Sequence, residues 1–201
     1  MFSTTASPLH SFSSITTEVH SVTIDDIEYP IEHAGVDYIT PRVKVNDDGT
    51  HTVSYAIDDT DPSEYEWAEV LFFNGESRCV SPATREDVEA MPHVFGVERY
   101  SHGLVRYSLV AESSAVDRQW DVAIVGLIGI PEDFTNPEAA ARAYLDEYTN
   151  WCNGEVYGVS EDTFIVVEGE SVAFPHPDIE PEVCWGIIGS EYAQKVVDGE
   201  A

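Results

Sequence analysis

Residues 43–55, VKVNDDGTHTVSY, carry the pattern that decides the fold. β-Branched residues flank the turn sequence Asn46-Asp47-Asp48-Gly49, and Asp and Gly readily adopt the backbone conformations of a tight turn. The segment therefore predicts a β-hairpin. Upstream, an alternation of apolar and polar residues predicts a β segment from residue 18, with its apolar positions at Val22, Ile24, Ile27, Tyr29 and Ile31.

Downstream patterns predict further strands. Residues 70–73, the turn pair Asn74-Gly75 and residues 76–80 predict a second hairpin. Five more strands are predicted at residues 103–111, 120–130, 156–159, 163–167 and 183–188. The strand at 120–130 is apolar on both faces, which favours the centre of a sheet.

The clearest helix is predicted over residues 138–152. Asn136 suits its N-cap, Pro137 its first position, and Gly154 follows its end. Its apolar stripe comprises Ala141, Tyr144, Leu145, Tyr148, Trp151 and Cys152. Two short helices are also predicted, one capped by Ser81 with Pro82 at its first position, the other starting near Ser190.

Strands outnumber helices, and tight turns connect most neighbours. We therefore predict an α+β fold, a mainly antiparallel sheet packed with one long and two short helices. Residues 18–201 are predicted to form a single acidic domain. Residues 1–17, rich in Ser and Thr, are predicted to be a flexible tail.

Charge is the most unusual property of the chain. It contains 38 Asp and Glu against nine Lys and Arg, a formal net charge of −29. Such a field repels nucleic acids and anionic membranes and attracts basic protein surfaces. We therefore expect no direct nucleic acid binding, no membrane partner and a basic protein surface as partner. The N-terminus lacks the pattern of a signal peptide, and a cytoplasmic location is expected.

Three explanations of the acidity remain open. It could reflect adaptation to high internal salt, mimicry of a polyanion such as DNA, or a need for solubility. Solubility alone needs a net charge of only about 2 to 8.

Motifs for catalysis are absent from the sequence. It contains no G-x-S-x-G elbow, P-loop or H-E-x-x-H, so no catalytic residue, metal or cofactor is predicted. Gly126 and Gly129 vaguely resemble a phosphate loop, but the alternative is that they permit close backbone packing. The odd, widely spaced set Cys79, Cys152 and Cys184 favours small buried thiols. A nucleophilic pair of Cys184 with His102 or His176 is left open.

Two stretches of the C-terminal half resemble a known family. The first is Tyr100-Ser101-His102-Gly103 with Trp120-Asp121 and Val125-Gly126. The second is Gly154-Glu155-Val156-Tyr157-Gly158, followed by Cys184-Trp185-Gly186, Gly189 and Tyr192-Ala193. Over residues 95–195 the chain resembles uncharacterised accessory proteins of tailed phages of actinobacteria and related hosts.

The resemblance implies a viral origin and an accessory role, but it transfers no site. Trp120, Tyr157 and Trp185 among the matched residues are expected to fill the core. His102 and Asp121 are the polar members, and we name them as candidates for a polar pocket.

An acidic connector between the two predicted hairpins is the candidate partner-binding segment. Its six carboxylates are Asp58, Asp59, Asp61, Glu64, Glu66 and Glu69. If the connector is extended, Glu64 and Glu66 lie about 6.6 Å apart on one side, near the spacing of phosphates. The sequence thus favours a non-enzymatic viral accessory protein, in its specific form a DNA mimic that blocks a host defence enzyme. The alternative is a globular domain of a halophilic virus or archaeon, a virion component or regulator, whose acidity is salt adaptation.

Overall fold

The computed structural model describes residues 20–67, 69–75, 83–110 and 122–201. Within these ranges the strands are β1 (His20–Ile24), β2 (Ile27–Ile31), β3 (Arg42–Val45), β4 (His51–Asp58), β5 (Leu71–Asn74), β6 (His93–His102), β7 (Leu104–Leu109), β8 (Val122–Ile130), β9 (Val156–Ile165), β10 (Phe174–Pro175) and β11 (Glu182–Ile188). The helices are α1 (Arg85–Glu89), α2 (Pro137–Cys152) and α3 (Ser190–Asp198). One long and two short helices pack on antiparallel sheets, which confirms the predicted α+β fold.

The larger sheet has the order β10-β9-β4-β3, and β11 pairs with the remaining length of β9. The predicted hairpin is confirmed as β3 and β4, with Val43 opposite Val53 and Gly49 at a φ of 84°. Residues 156–159 and 163–165 are confirmed as strand, but the break predicted between the two segments is wrong, because β9 is one continuous strand. The polar run at residues 160–162 interrupts the apolar pattern but not the pairing with β4.

Both faces of this sheet are covered. On one face, Ala193 and Val197 of α3 pack against Val159. On the other, a hairpin of β1 and β2 places Tyr29 on Phe164, with ring centroids 5.3 Å apart. The predicted β segment is split by a turn at residues 25–26, where Asp25 and Asp26 have φ values of 51° and 64°. Asp tolerates this left-handed conformation better than most residues.

The smaller sheet has the order β5-β8-β6-β7, so β8 is an interior strand as predicted. Helix α2 packs on this sheet through Leu145 and Tyr148. Its start is also confirmed, because the side chain of Asn136 accepts a hydrogen bond from the amide of Ala139 and Pro137 is the first helical residue.

One local prediction around the first helix needs correction. Helix α1 begins at Arg85, and its N-cap is Thr84, which forms a capping box with Asp87. Ser81 is therefore not its N-cap, since a Thr nearer the helix satisfies its first amides. β5 pairs with β8, and the amide of Gly75 extends this pairing by donating to the carbonyl of Val125. The tail at 1–17, the strand at 76–80 and Pro82 lie outside the described residues.

None of the helices described is long and apolar enough to cross a bilayer.

Candidate functional site

The acidic connector, residues 58–69, leaves the larger sheet at the end of β4 and enters the core under the smaller sheet. The amide of Asp59 donates to the carbonyl of Val156 at 2.9 Å. The amide of Asp61 donates to the carboxylate of Asp59 at 3.2 Å, a local turn typical of Asp. The first bond holds the start of the connector against β9, and the second shapes the connector itself.

The second part of the connector is anchored by two aromatic residues. Tyr65 and Trp67 point inward, and their ring centroids are 4.9 Å apart. Trp67 stacks on Phe72 at 4.5 Å, and the Tyr65 hydroxyl donates to Glu147 at 3.0 Å. Burial, followed by the nearby Glu147 carboxylate, raises the pKa of Tyr65 far above its ordinary value, so the phenol stays protonated.

Burial alternates along this part of the connector. Glu64 and Glu66 are exposed, whereas Tyr65 is half-buried and Trp67 is buried. Two inward aromatic side chains therefore turn both glutamates to the outer side. This agrees with the extended arrangement on which the expected spacing of about 6.6 Å rests.

Two adjacent clefts open along the connector. The larger, about 420 Å³, is lined by Asp59, Asp61, Ser63, Trp185 and Gly186. The smaller cleft has a volume of about 200 Å³. Its lining residues are Pro62, Ser63, Glu64, Tyr65, Glu66, Glu147, Trp151, Val156, Gly186 and Ile188. The structure thus gathers four of the six predicted carboxylates at two neighbouring openings. Asp58 is exposed at the end of β4 opposite Tyr157, and Glu69 is exposed beyond Trp67; neither lines these clefts.

Trp185 is the cleft residue whose position the sequence analysis predicted wrongly. It was expected in the core, but 53% of it is exposed. The pairing of β11 with β9 shifts between Cys184 and Ile187, and Gly186 has a φ of 80°. This bulge holds the indole on the sheet face above Gly158. Tyr157, in contrast, is buried as predicted.

An exposed indole beside two carboxylates is suited to a cationic side chain. A guanidinium or ammonium group is attracted both by the ring face and by the carboxylates. The residues that line the two clefts include no lysine, arginine or histidine, so this negative charge has no basic residue among them.

Exposed carboxylates are not confined to the connector. They also occur on the β1–β2 turn, the β3–β4 turn, the helices, the loops and β11, for example at Asp25, Asp47, Glu86, Glu132, Glu138, Glu168, Glu182 and Glu191. The negative field therefore extends over the described surface, and Trp185 distinguishes the connector clefts from the rest of it.

Among the described residues, His102 and Cys184 do not come together in a second site. His102 is exposed at the end of β6, stacked near Tyr100 at 6.5 Å, and it lines neither connector cleft. Asp121, Trp120 and Cys79 lie outside the described residues. Cys184 is exposed rather than buried, and it lies on the larger sheet whereas His102 lies on the smaller one. Among the described residues, no group of three or more His, Cys, Asp or Glu could hold a metal ion.

Gly126 and Gly129 are residues of β8, not of a phosphate-binding loop. A Cβ atom at residue 126 would overlap the carbonyl oxygen of Phe73, and one at residue 129 would lie 2.7 Å from Met91. Close packing therefore explains both glycines, as the alternative interpretation of the sequence stated.

Neither a protein-family model, nor a curated protein, nor a solved structure matches this chain.

Proposed function

We propose that the protein is a non-enzymatic viral accessory protein that binds a basic surface of a host protein through the connector clefts. The observation that carries this proposal is the half-exposed indole of Trp185 beside Asp59 and Asp61. An arginine of the partner stacks on the indole while its N–H groups reach the carboxylates, and Glu64 and Glu66 receive further basic side chains.

The energetics favour such an anchor. A cation on an exposed aromatic ring contributes about 0.5–1 kcal/mol, and about 2 kcal/mol when water is excluded. Tryptophan is also enriched among the few residues that dominate interface energies. The net charge of −29 adds long-range attraction, which raises the association rate with a basic partner and weakens with salt.

DNA mimicry is the specific form of this proposal. The partner is then a host defence enzyme whose DNA-binding groove is lined with Lys and Arg. Support comes from the outward placement of Glu64 and Glu66 on an extended segment, next to the carboxylates of the larger cleft. Occupation of the groove by the connector prevents DNA from entering it.

Adaptation to high salt is the second candidate explanation of the acidity. Carboxylates spread over the turns, helices and loops favour it for most of the charge. The protein is then a domain of a halophilic virus or archaeon, a virion component or regulator, and the connector has no special role.

A pull-down from host lysate at two salt concentrations tests the proposal. The test variant changes the six connector carboxylates to Asn or Gln. A matched control changes six exposed carboxylates elsewhere: Asp47, Glu132, Asp133, Glu168, Glu170 and Glu200. We expect the wild type and the control variant to retain one DNA-binding host protein that the connector variant and Trp185→Ala lose. Equal capture by all four proteins would exclude the connector as the binding surface.

A further inference from the structure

A third cleft lies between β2 and the end of β9. Its volume is about 430 Å³, within the usual range for small-molecule sites. Its walls are largely apolar and include four prolines: Pro30, Pro175, Pro177 and Pro181. Proline rings are rigid and carry no backbone N–H, so these walls are preformed and offer a ligand few donors.

A buried carboxylate, Asp162 of β9, lines this cleft and is only 4% exposed. One of its oxygens accepts from the Ser160 hydroxyl at 2.7 Å. The other accepts from the Tyr55 hydroxyl at 3.0 Å and from the Glu32 amide at 3.4 Å. A carboxylate offers about four acceptor sites, so these three bonds orient it and leave room for one more donor.

No positive charge balances Asp162 within the described part of the chain. No lysine, arginine or histidine there forms an ion pair with it, although buried carboxylates are normally paired. The cleft lining adds two further carboxylates, Glu32 and Glu180. His176 is the basic residue of the lining, and its Nδ1 accepts a hydrogen bond from the amide of Asp178 at 3.2 Å.

We propose that this cleft binds a small organic ammonium ion. The apolar body of the ligand fills the proline-lined space, and its N–H groups meet the carboxylate of Asp162. A single buried anion in a preformed apolar cleft selects a cation over a neutral molecule of the same shape, because only the cation offsets the cost of the buried charge.

This site is separate from the connector clefts. Asp162 and Gly158 lie on the same face of β9, four residues apart, which corresponds to about 13 Å along a strand. A substitution at one site therefore does not alter the contacts of the other site. A negative result for the ammonium site would leave the proposed function untouched, and the reverse also holds.

Titration calorimetry of the full chain with benzylammonium and with benzyl alcohol, its neutral analogue, tests the inference. We expect benzylammonium to bind at least tenfold more tightly. Asp162→Asn removes the charge and keeps one of the two acceptor oxygens, and it should weaken benzylammonium binding at least tenfold while leaving benzyl alcohol binding unchanged. The matched control is Glu161→Gln, which removes an exposed neighbouring charge on the opposite face and should bind as wild type does. Equal affinities for the two ligands, or equal losses in both variants, would overturn the proposal.

A second variant covers the case in which Asp162→Asn does not fold. Ile179 is partly exposed at the cleft, and Ile179→Trp should fill the space and abolish benzylammonium binding. Unchanged affinity in this variant would place the ligand elsewhere. A third ligand, N-acetyl-lysine amide, imitates a lysine side chain of a protein. Its affinity, compared with that of benzylammonium, tells whether the cleft prefers a free amine or a protein side chain. Tighter binding of this compound than of benzylammonium would contradict a small-molecule ligand.

Discussion

The indole of Trp185 lies so close to Gly158 that a Cβ atom at residue 158 would be 2.7 Å from its Cε3 atom. The exposed indole therefore packs directly on the backbone of Gly158, where a side chain would displace it. The same face of β9 continues to Ser160 and Asp162, so one strand positions both the indole of the connector cleft and the carboxylate of the proline-lined cleft.

Gly158→Ala should displace the indole of Trp185. The added methyl group also comes within 3.1 Å of Ile57, so we expect a cost of about 1–3 kcal/mol in the free energy of unfolding. Tryptophan fluorescence during denaturant unfolding measures the displacement of the indole and the loss of stability. The pull-down measures capture of the host protein. We expect a loss of capture comparable to that of Trp185→Ala. If a folded Gly158→Ala protein captures the host protein as the wild type does, the position of the indole on Gly158 is not needed for binding.

Gly126→Ala should be among the most destabilising single substitutions in the chain. Its methyl group would meet backbone atoms of Phe73, which cannot move without separating β5 from β8. We expect a loss of more than about 4 kcal/mol, or failure to fold, measured by denaturant unfolding. The control is Gly35→Ala, whose Cβ would make an ordinary contact of 3.7 Å with Tyr55 and should change stability by less than about 1 kcal/mol. A small effect at residue 126 would contradict the pairing of these strands.

Trp67→Ala should release the second half of the connector. The indole is buried against Phe72 and Tyr148, and its removal should cost about 3–5 kcal/mol. Thermal unfolding gives the cost, and limited proteolysis should show faster cleavage near Glu64 and Glu66. Exposed Glu132→Ala, a substitution outside the connector, should leave both measurements within error. Cleavage at the wild-type rate in Trp67→Ala would mean that this residue does not hold the connector.

Stability should fall as the pH rises above 10. Burial, opposed by the Ser160 hydroxyl and aided by the charge of Asp162, raises the pKa of Tyr55 to about 12. The Tyr55 hydroxyl loses its proton near pH 10 in the unfolded chain but only near pH 12 in the folded protein. Between these two pH values the folded state binds more protons than the unfolded state. The free energy of unfolding therefore decreases as the pH rises through this window. Burial also raises the pKa of Tyr29, Tyr65 and Tyr157.

Denaturant midpoints measured from pH 8 to 12 test this account, with tyrosinate absorbance followed in parallel. Tyr55→Phe should make the alkaline loss less steep, because one proton no longer differs between the two states. An identical slope in the wild type and in Tyr55→Phe would contradict the assignment of a raised pKa to Tyr55.

The salt dependence of folding should separate the two explanations of the acidity. If the connector exists to bind a partner, the purified protein folds at about 0.15 M salt, where the Debye length is about 8 Å. If the charge is salt adaptation, the domain unfolds below roughly molar salt because its carboxylates repel one another. Circular dichroism during dilution from high salt distinguishes the two results.

Local signals predicted much of the fold correctly. The hairpin of β3 and β4 and the start of α2 depend on Gly49, Asn136 and Pro137, which act on their immediate neighbours in the chain. Errors arose where tertiary contacts decide the outcome. Nothing local indicates that polar residues 160–162 continue β9, because their place depends on pairing with β4.

The candidate site was predictable in part for the same reason. The carboxylates of the connector were evident from composition, and the inward Tyr65 and Trp67 explain why Glu64 and Glu66 face outward. The contact of Trp185 with Gly158 was not predictable, because the two residues lie on different strands. It also depends on a bulge in β11 that the sequence pattern does not show. Asp162 was missed because a single Asp in a β-strand gives no sign of its burial.

The most direct test of the central claim is the association rate constant with the captured host protein, measured against ionic strength. The wild type and the control variant lacking six carboxylates elsewhere should both associate fast at low salt and lose speed steeply as salt rises. The connector variant should associate more slowly and with a flatter salt dependence. Identical rates and slopes for the connector and control variants would contradict the claim that the connector meets the basic surface of the partner.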